Sequence, residues 1–338
     1  MKTDLIKGRL GRLKQLGTLL IYLAMVLIFT LLKPNYLTLT NFRSILIQAA
    51  MLGIISSGMT LVMMTGGVDM SVGAVAGVST LAGMWPVVFD ELPLAVGILI
   101  ALGIALAFGL INGICISRLG IAPFVATLGM QTICRGIAQL VNNTLGTMFL
   151  AQGLQYLFSE GGMSISYGFP ATYKFLGSGS LGPFPMPLVL FLVLLAALVL
   201  ATEYAPAGRY LRGTGLNQFA SELSGVKIRS FTLLSYVLCS LLAAVLGLVL
   251  GASQAYVSPD HGSSFLMDSL LVVLLGKTLV GGRISIYATA FGALFLRSFE
   301  TGLSMIGIPV TALNVCKGTL LVIILLLALV RQKRRGGS

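Results

Sequence analysis

Long stretches without a single charged side chain dictate what this sequence can become: Gln15–Leu32, Ser44–Val68, Met70–Phe89, Leu92–Ser117 and Phe175–Thr202. Each approaches or exceeds the roughly 20 residues with which a helix crosses a bilayer core. Barrel strands would alternate apolar and polar residues, and these runs are continuously apolar. Only 9% of the residues are charged, against roughly a quarter in a soluble domain. The expected fold class is all-α, a polytopic membrane bundle in one domain, 1–338. Spans fit at about 17–33, 43–65, 70–89, 93–116, 121–141, 185–203, 231–252, 266–281, 284–303 and 310–330. The 41 glycines, many inside these spans, suit close helix contact in lipid. The first apolar run has no small-residue cleavage site and reads as a retained anchor.

The net charge of +12 raises the question of a nucleic-acid partner. Such a surface interleaves cations with aromatic rings. Here Lys2, Lys7, Arg9, Arg12 and Lys14 precede the first span, and Arg331, Lys333, Arg334 and Arg335 follow the last, so no nucleic acid is expected. Cytoplasmic loops retain Lys and Arg. Fifteen cations fall in the tails and inner loops of this ten-span arrangement, and three, Lys33, Arg43 and Lys174, fall in outer loops. Both termini are therefore placed in the cytoplasm, with basic tails at 1–16 and 331–338, a long outer loop at 142–185 and an inner loop at 204–230. Arg135, Lys277, Arg297 and Lys317 remain inside spans.

Cys115, Cys134, Cys239 and Cys316 lie in apolar segments without the CxxC spacing of a metal or redox site. His261 is the only histidine. No metal site and no catalytic residue is expected. "GKT" at Gly276-Lys277-Thr278 imitates the end of a phosphate loop, but the glycine that motif needs five positions earlier is Leu271. The chain itself should bind no cofactor.

"TGGVDMSVG", Thr65–Gly73, sets a carboxylate and a double glycine between two apolar runs. Gly66-Gly67 should end one helix by supplying backbone angles that other residues resist. Asp69 should be the N-cap of the next, accepting from the free N–H groups near Ser71 and Val72. Broken helices also line transport sites, so Gly66, Gly67, Asp69, Ser71 and Gly73 are candidates for a translocation path, together with Asn112, Gln131 and Asp268 in neighbouring spans. Helix-to-helix hydrogen bonding is the alternative role for the polar ones. Arg297 and Glu300, three apart, should share a helix face and neutralise each other. Asp268 and Lys277 point to opposite faces of a straight helix, and the sequence assigns them no partners.

Within the inner loop, Asn217 is a good N-cap and Gly225 a good helix stop. Leu216, Phe219, Leu223 and Val226 recur at three- and four-residue intervals. A short amphipathic helix follows, resting either on a membrane interface, on its own bundle or on a partner. No convincing direct repeat is visible.

"GGVDMSVG", "PFVATLGMQTICRG" (Pro123–Gly136), "GRYLRGTGLNQFASELSGV" (Gly208–Val226) and "GSSFLMDSLLVVLLGKTLVGG" (Gly262–Gly282) together resemble, in order, landmarks of the permease subunits of ribose-type ABC sugar importers. The resemblance implies a vitamin-B12-permease-like bundle and a dimer with a second copy or a paralogue. It also implies separate ATP-binding cassette ATPase subunits that use ATP and Mg, an extracytoplasmic solute-binding protein, and a bacterial inner-membrane location. It makes 204–230 the coupling loop, with Asn217, Phe219, Glu222, Leu223, Ser224 and Gly225 as ATPase-coupling residues. Two departures stand out: Met267 precedes Asp268 where the family usually has an acidic residue, and Lys277 follows Gly276 where it usually has a second glycine.

A ribose-like monosaccharide or similar small polar solute is then the expected cargo, with nucleosides and the furanose signal autoinducer-2 as alternatives. The rival reading is a transporter or channel driven by an ion gradient, for which Asp268 and Glu300 are the mid-membrane carboxylates available. An intramembrane enzyme would need paired carboxylates or a nucleophile with its base, and neither emerges.

Overall fold

A computed structural model describes residues 19–157, 168–258, 260–280 and 282–336. The 1–16 tail, the last two residues and part of the 142–185 loop lie outside the described residues. Each expected span coincides with a helix: α1 (Leu19–Leu32 as described), α2 (Leu39–Met64), α3 (Val72–Phe89), α4 (Leu94–Ser117) and α5 (Pro123–Leu157). After α6 (Ala171–Ser178) come α7 (Met186–Val199), α8 (Pro206–Leu216), α9 (Gln218–Leu223), α10 (Ile228–Gln254), α11 (Ser263–Leu279), α12 (Ile286–Met305) and α13 (Val310–Gly336). Among the described residues, six of these are long and apolar enough to cross a membrane by length and composition alone. The fold is an all-α polytopic membrane bundle, and its one sheet among the described residues is a hairpin, β1 (Ser180–Leu181) with β2 (Phe184–Pro185).

Burial sorts the helices into two shells. In α2 every residue from Ala49 to Val62 is buried, and α3 and α10 are buried around most of their circumference. A helix apolar all round belongs in the middle of a bundle. In contrast α4, α5 and α7 bury only a minority of their residues, and Leu99, Ile133 and Val193 are exposed. Apolar side chains on those faces are free to meet lipid or a partner helix.

A repeat that sequence inspection misses organises the bundle. The unit α2–α5 and the unit α10–α13 pack reciprocally: α2 lies on α12 as α10 lies on α4, α2 meets α11 as α10 meets α3, and α3 meets α4 and α5 as α11 meets α12 and α13. At the centre a Cβ on Gly73 would strike the Gly262 carbonyl, and a Cβ on Gly262 would strike the Gly73 carbonyl. Such mutual contact is that of an approximate two-fold axis, the architecture of many transporters. In each unit the first two helices are separated by a break, 65–71 in one and 255–262 in the other.

The loops assigned to one side by cation counting meet in space. Arg283, between α11 and α12, donates to Glu203 at the start of the 204–230 loop (2.8 Å). Arg43 and Ser180, both assigned to the opposite side, bond to each other. Inside 142–185, helical backbone continues to Leu157, and α6 seats Gly177 against the Ala252-Ser253 backbone at the end of α10.

Candidate translocation and coupling site

The first break begins where α2 runs out. Gly66 takes φ +86°, which lets its N–H reach Met63 O and the Gly67 N–H reach Val62 O, both at 3.2 Å. These two bonds satisfy carbonyls that the helix end would otherwise orphan. Gly67 has no room for a side chain, because a Cβ there would run into the Tyr236 hydroxyl on α10.

Asp69 is not an N-cap, contrary to expectation. Helix α3 starts at Val72 with Ser71 as the flanking residue; Asp69 Oδ1 does accept from the Ser71 N–H (2.8 Å), as expected, and also from the Ser71 Oγ–H (2.6 Å). The aspartate curls onto its own backbone two residues on, so its carboxylate is engaged before the helix begins. It is fully buried. Asn112 on α4 donates to Ser71 Oγ (3.0 Å), and Thr127 on α5 accepts from the Met70 N–H (3.0 Å). Asp69, Ser71 and Asn112 thus form one network, and Gly73 stands at the two-fold junction with Gly262.

The second break is more open. Asp260 accepts from Arg135 Nη2 on α5 (2.6 Å), with the two side chains 56% and 45% exposed, and from Ser263 Oγ (3.3 Å). Gln131 sits half-buried one helical turn before Arg135. Asp268 is not brought to either break.

The 204–230 loop carries a helix capped at both ends. Asn217 Oδ1 accepts from the Ala220 N–H (3.0 Å) at the start of α9. At its end Gly225 takes φ +78°, donating to Glu222 O (2.9 Å) while Val226 donates to Ser221 O (3.0 Å). This pair of bonds closes the helix end without help from the rest of the bundle. Leu216, Phe219 and Leu223 are 87%, 73% and 75% exposed, and Glu222 and Ser224 are exposed beside them. Behind α9, α8 holds the loop down: Leu211 is buried with Leu61, Met64 and Ile286, and Gly215 touches Met64 O and the Gly66 N–H. The loop therefore rests directly on the residues that begin the first break.

Residues 41–329 match the family described as branched-chain amino acid transport system / permease component. The chain belongs to this permease family. The permease is 29% identical to the ribose import permease of Escherichia coli (strain K12) over 344 residues, covering 99% of this chain and 100% of that one. It is 31% identical to the ribose import permease of Bacillus subtilis (strain 168) over 320 residues (94% and 93%). The galactofuranose transporter permease of E. coli K12 is 32% identical over 294 residues (86% and 79%).

Sequence inspection leaves several of the permease's charged residues without partners, and the structure supplies them. Asp268, 5% exposed at its side chain, accepts from Arg297 and Lys317 (2.9 Å each), Lys317 also meets Glu300 (2.9 Å), and Arg297 pairs with Glu300 as its spacing predicts. Two carboxylates and two cations balance across α11, α12 and α13, which is how charge is tolerated away from water. Asp268 is thereby committed to packing. Glu203 makes a second bracket, accepting from Arg212 on α8 (2.8 Å) and from Arg283. One signal in the sequence pointed at these sites: Cys134-Arg135-Gly136 on α5 recurs as Cys316-Lys317-Gly318 on α13, the corresponding helix of the other unit.

Proposed function

We propose that the permease is the membrane-spanning subunit of an ATP-driven importer that carries a monosaccharide or a similar small polar solute across the bacterial inner membrane. Its relatives named as ribose and galactofuranose permeases support the solute class. ATP and Mg would be bound by separate ATPase subunits, solute would arrive on an extracytoplasmic binding protein, and a second copy or a paralogue would complete the path. Both termini would be cytoplasmic, in line with the cation bias.

One observation carries the coupling role: a doubly capped helix presents Phe219 and Leu223 to solvent while the loop behind it grips the end of α2. A stable helix with an unpaired apolar face is built for a groove on another protein. A push on α9 passes through α8 to Gly215, to Gly66 and so into the Asp69–Ser71–Asn112 network. Phe219→Asp or Leu223→Asp places a charge in that desolvated contact, a loss of about 2 kcal/mol or more. The purified variants should insert normally yet lose the ATPase during affinity purification. Variants that retain the ATPase like the parent and support full uptake would remove α9 from the coupling role.

A further inference from the structure

Resting on that importer reading, we propose that Arg135 and Asp260, with Gln131 and Gln139, form a contact site for a neutral, hydroxyl-bearing solute inside the translocation path. Gln131, Arg135 and Gln139 recur every four residues and so line one stripe of α5. Thr127, Met130, Cys134 and Ala138 fill the buried face of that helix. The stripe flanks that buried face: Gln131 is half-buried, and Arg135 and Gln139 are exposed.

An exposed ion pair within an apolar helix is costly against lipid, so it faces water or protein. The corresponding cation of the other unit shows that the motif does not force exposure: Lys317 turns inward to Asp268 and Glu300, with 20% of its side chain exposed. Asp260 also stands two residues from Gly262, which meets Gly73 at the two-fold junction. The pair thus adjoins that junction along the chain and is open.

Its chemistry selects a class of ligand. Arg135 Nη2 and Ser263 Oγ both bond Asp260 Oδ1, and among the described residues no hydrogen bond uses Asp260 Oδ2 or Arg135 Nη1. A free acceptor beside a free donor, on a pair with no net charge, matches adjacent hydroxyl groups, each of which both donates and accepts. A zwitterionic amino acid would have to part the 2.6 Å pair to place its own charges; a polyol would leave it intact.

Two measurements on the complete permease–ATPase complex test the site. Gln131→Cys and Gln139→Cys should react with the cationic, water-soluble thiol reagent MTSET well above the unsubstituted protein, whereas Val193→Cys on the exposed apolar face of α7 should not. In proteoliposomes with the binding protein, Asp260→Asn should lower D-ribose taken up per ATP hydrolysed by about tenfold. The charge exchange Arg135→Asp with Asp260→Arg should not restore that ratio. Labelling no faster than at Val193→Cys, or full rescue by the charge exchange, would make the pair a brace between α5 and the second break and overturn the site. L-Leucine uptake that depends on Asp260 as strongly would overturn the hydroxyl class. Parent complexes that hydrolyse ATP but take up neither D-ribose nor D-galactose contradict the sugar reading itself, and the labelling contrast then still decides whether the stripe faces water.

Discussion

At the first break Asp69 is fully buried and its Oδ1 accepts from Ser71, two residues away, whereas at the second the Asp260 side chain is more than half exposed and reaches across to Arg135 on another helix. Both interrupt a helix pair in corresponding units, and both adjoin one glycine of the Gly73–Gly262 contact. They are also clamped alike, Gly215 of the inner loop sitting on the end of α2 and Gly177 of the α6 segment on the end of α10. Their place between the first two helices of a unit is shared, and solvation differs. The first break lies directly under the 204–230 loop, through Gly215. The second break holds its charges at the surface.

Substitutions can strain this contrast at each point. The largest effect belongs to the support of the second unit: Asp268→Ala leaves Arg297 and Lys317 short of a shared carboxylate in a largely buried setting, and should cost about 3–5 kcal/mol, read as a lowered unfolding midpoint of the purified protein. Next, Gly73→Val and Gly262→Val each drive a side chain into the other's carbonyl and should cost about 1–3 kcal/mol or more. Similar losses at the two positions support a two-fold junction, and a loss at only one would break the correspondence. At the breaks themselves, Asp69→Ala strands the Ser71 N–H and hydroxyl and should cost about 1–3 kcal/mol, with Asp69→Asn milder because an acceptor remains. Asp260→Ala should change stability by less than about 1 kcal/mol, because the pair is exposed. Equal destabilisation by Asp69→Ala and Asp260→Ala would erase the distinction between the breaks.

What could be read in the sequence was local. Ten helices, the stop at Gly66, the cap at Asn217 and the Gly225 turn depend on residues within one helical turn of one another, and those are what periodicity and capping rules see. Arg297 and Glu300 were legible for the same reason. The partners of Asp268 lie 29 and 49 residues away, and Arg135 and Asp260 are 125 apart; no spacing rule reaches that far. Asp69 shows a subtler limit: its residue type suits a cap, but Met70 and Ser71 still lie between it and the first helical residue, so the carboxylate closes a turn instead. The paired units escaped notice because they share packing and little sequence beyond a short cysteine–cation–glycine run.

The importer reading meets its most direct test in solute uptake by proteoliposomes holding the permease with its ATPase, supplied with binding protein and labelled D-ribose. Uptake should require ATP inside the complex's nucleotide-accessible face, persist when ionophores collapse every ion gradient, and vanish when the ATPase is omitted. Uptake by the permease alone, driven by a proton or sodium gradient and indifferent to ATP, would contradict it.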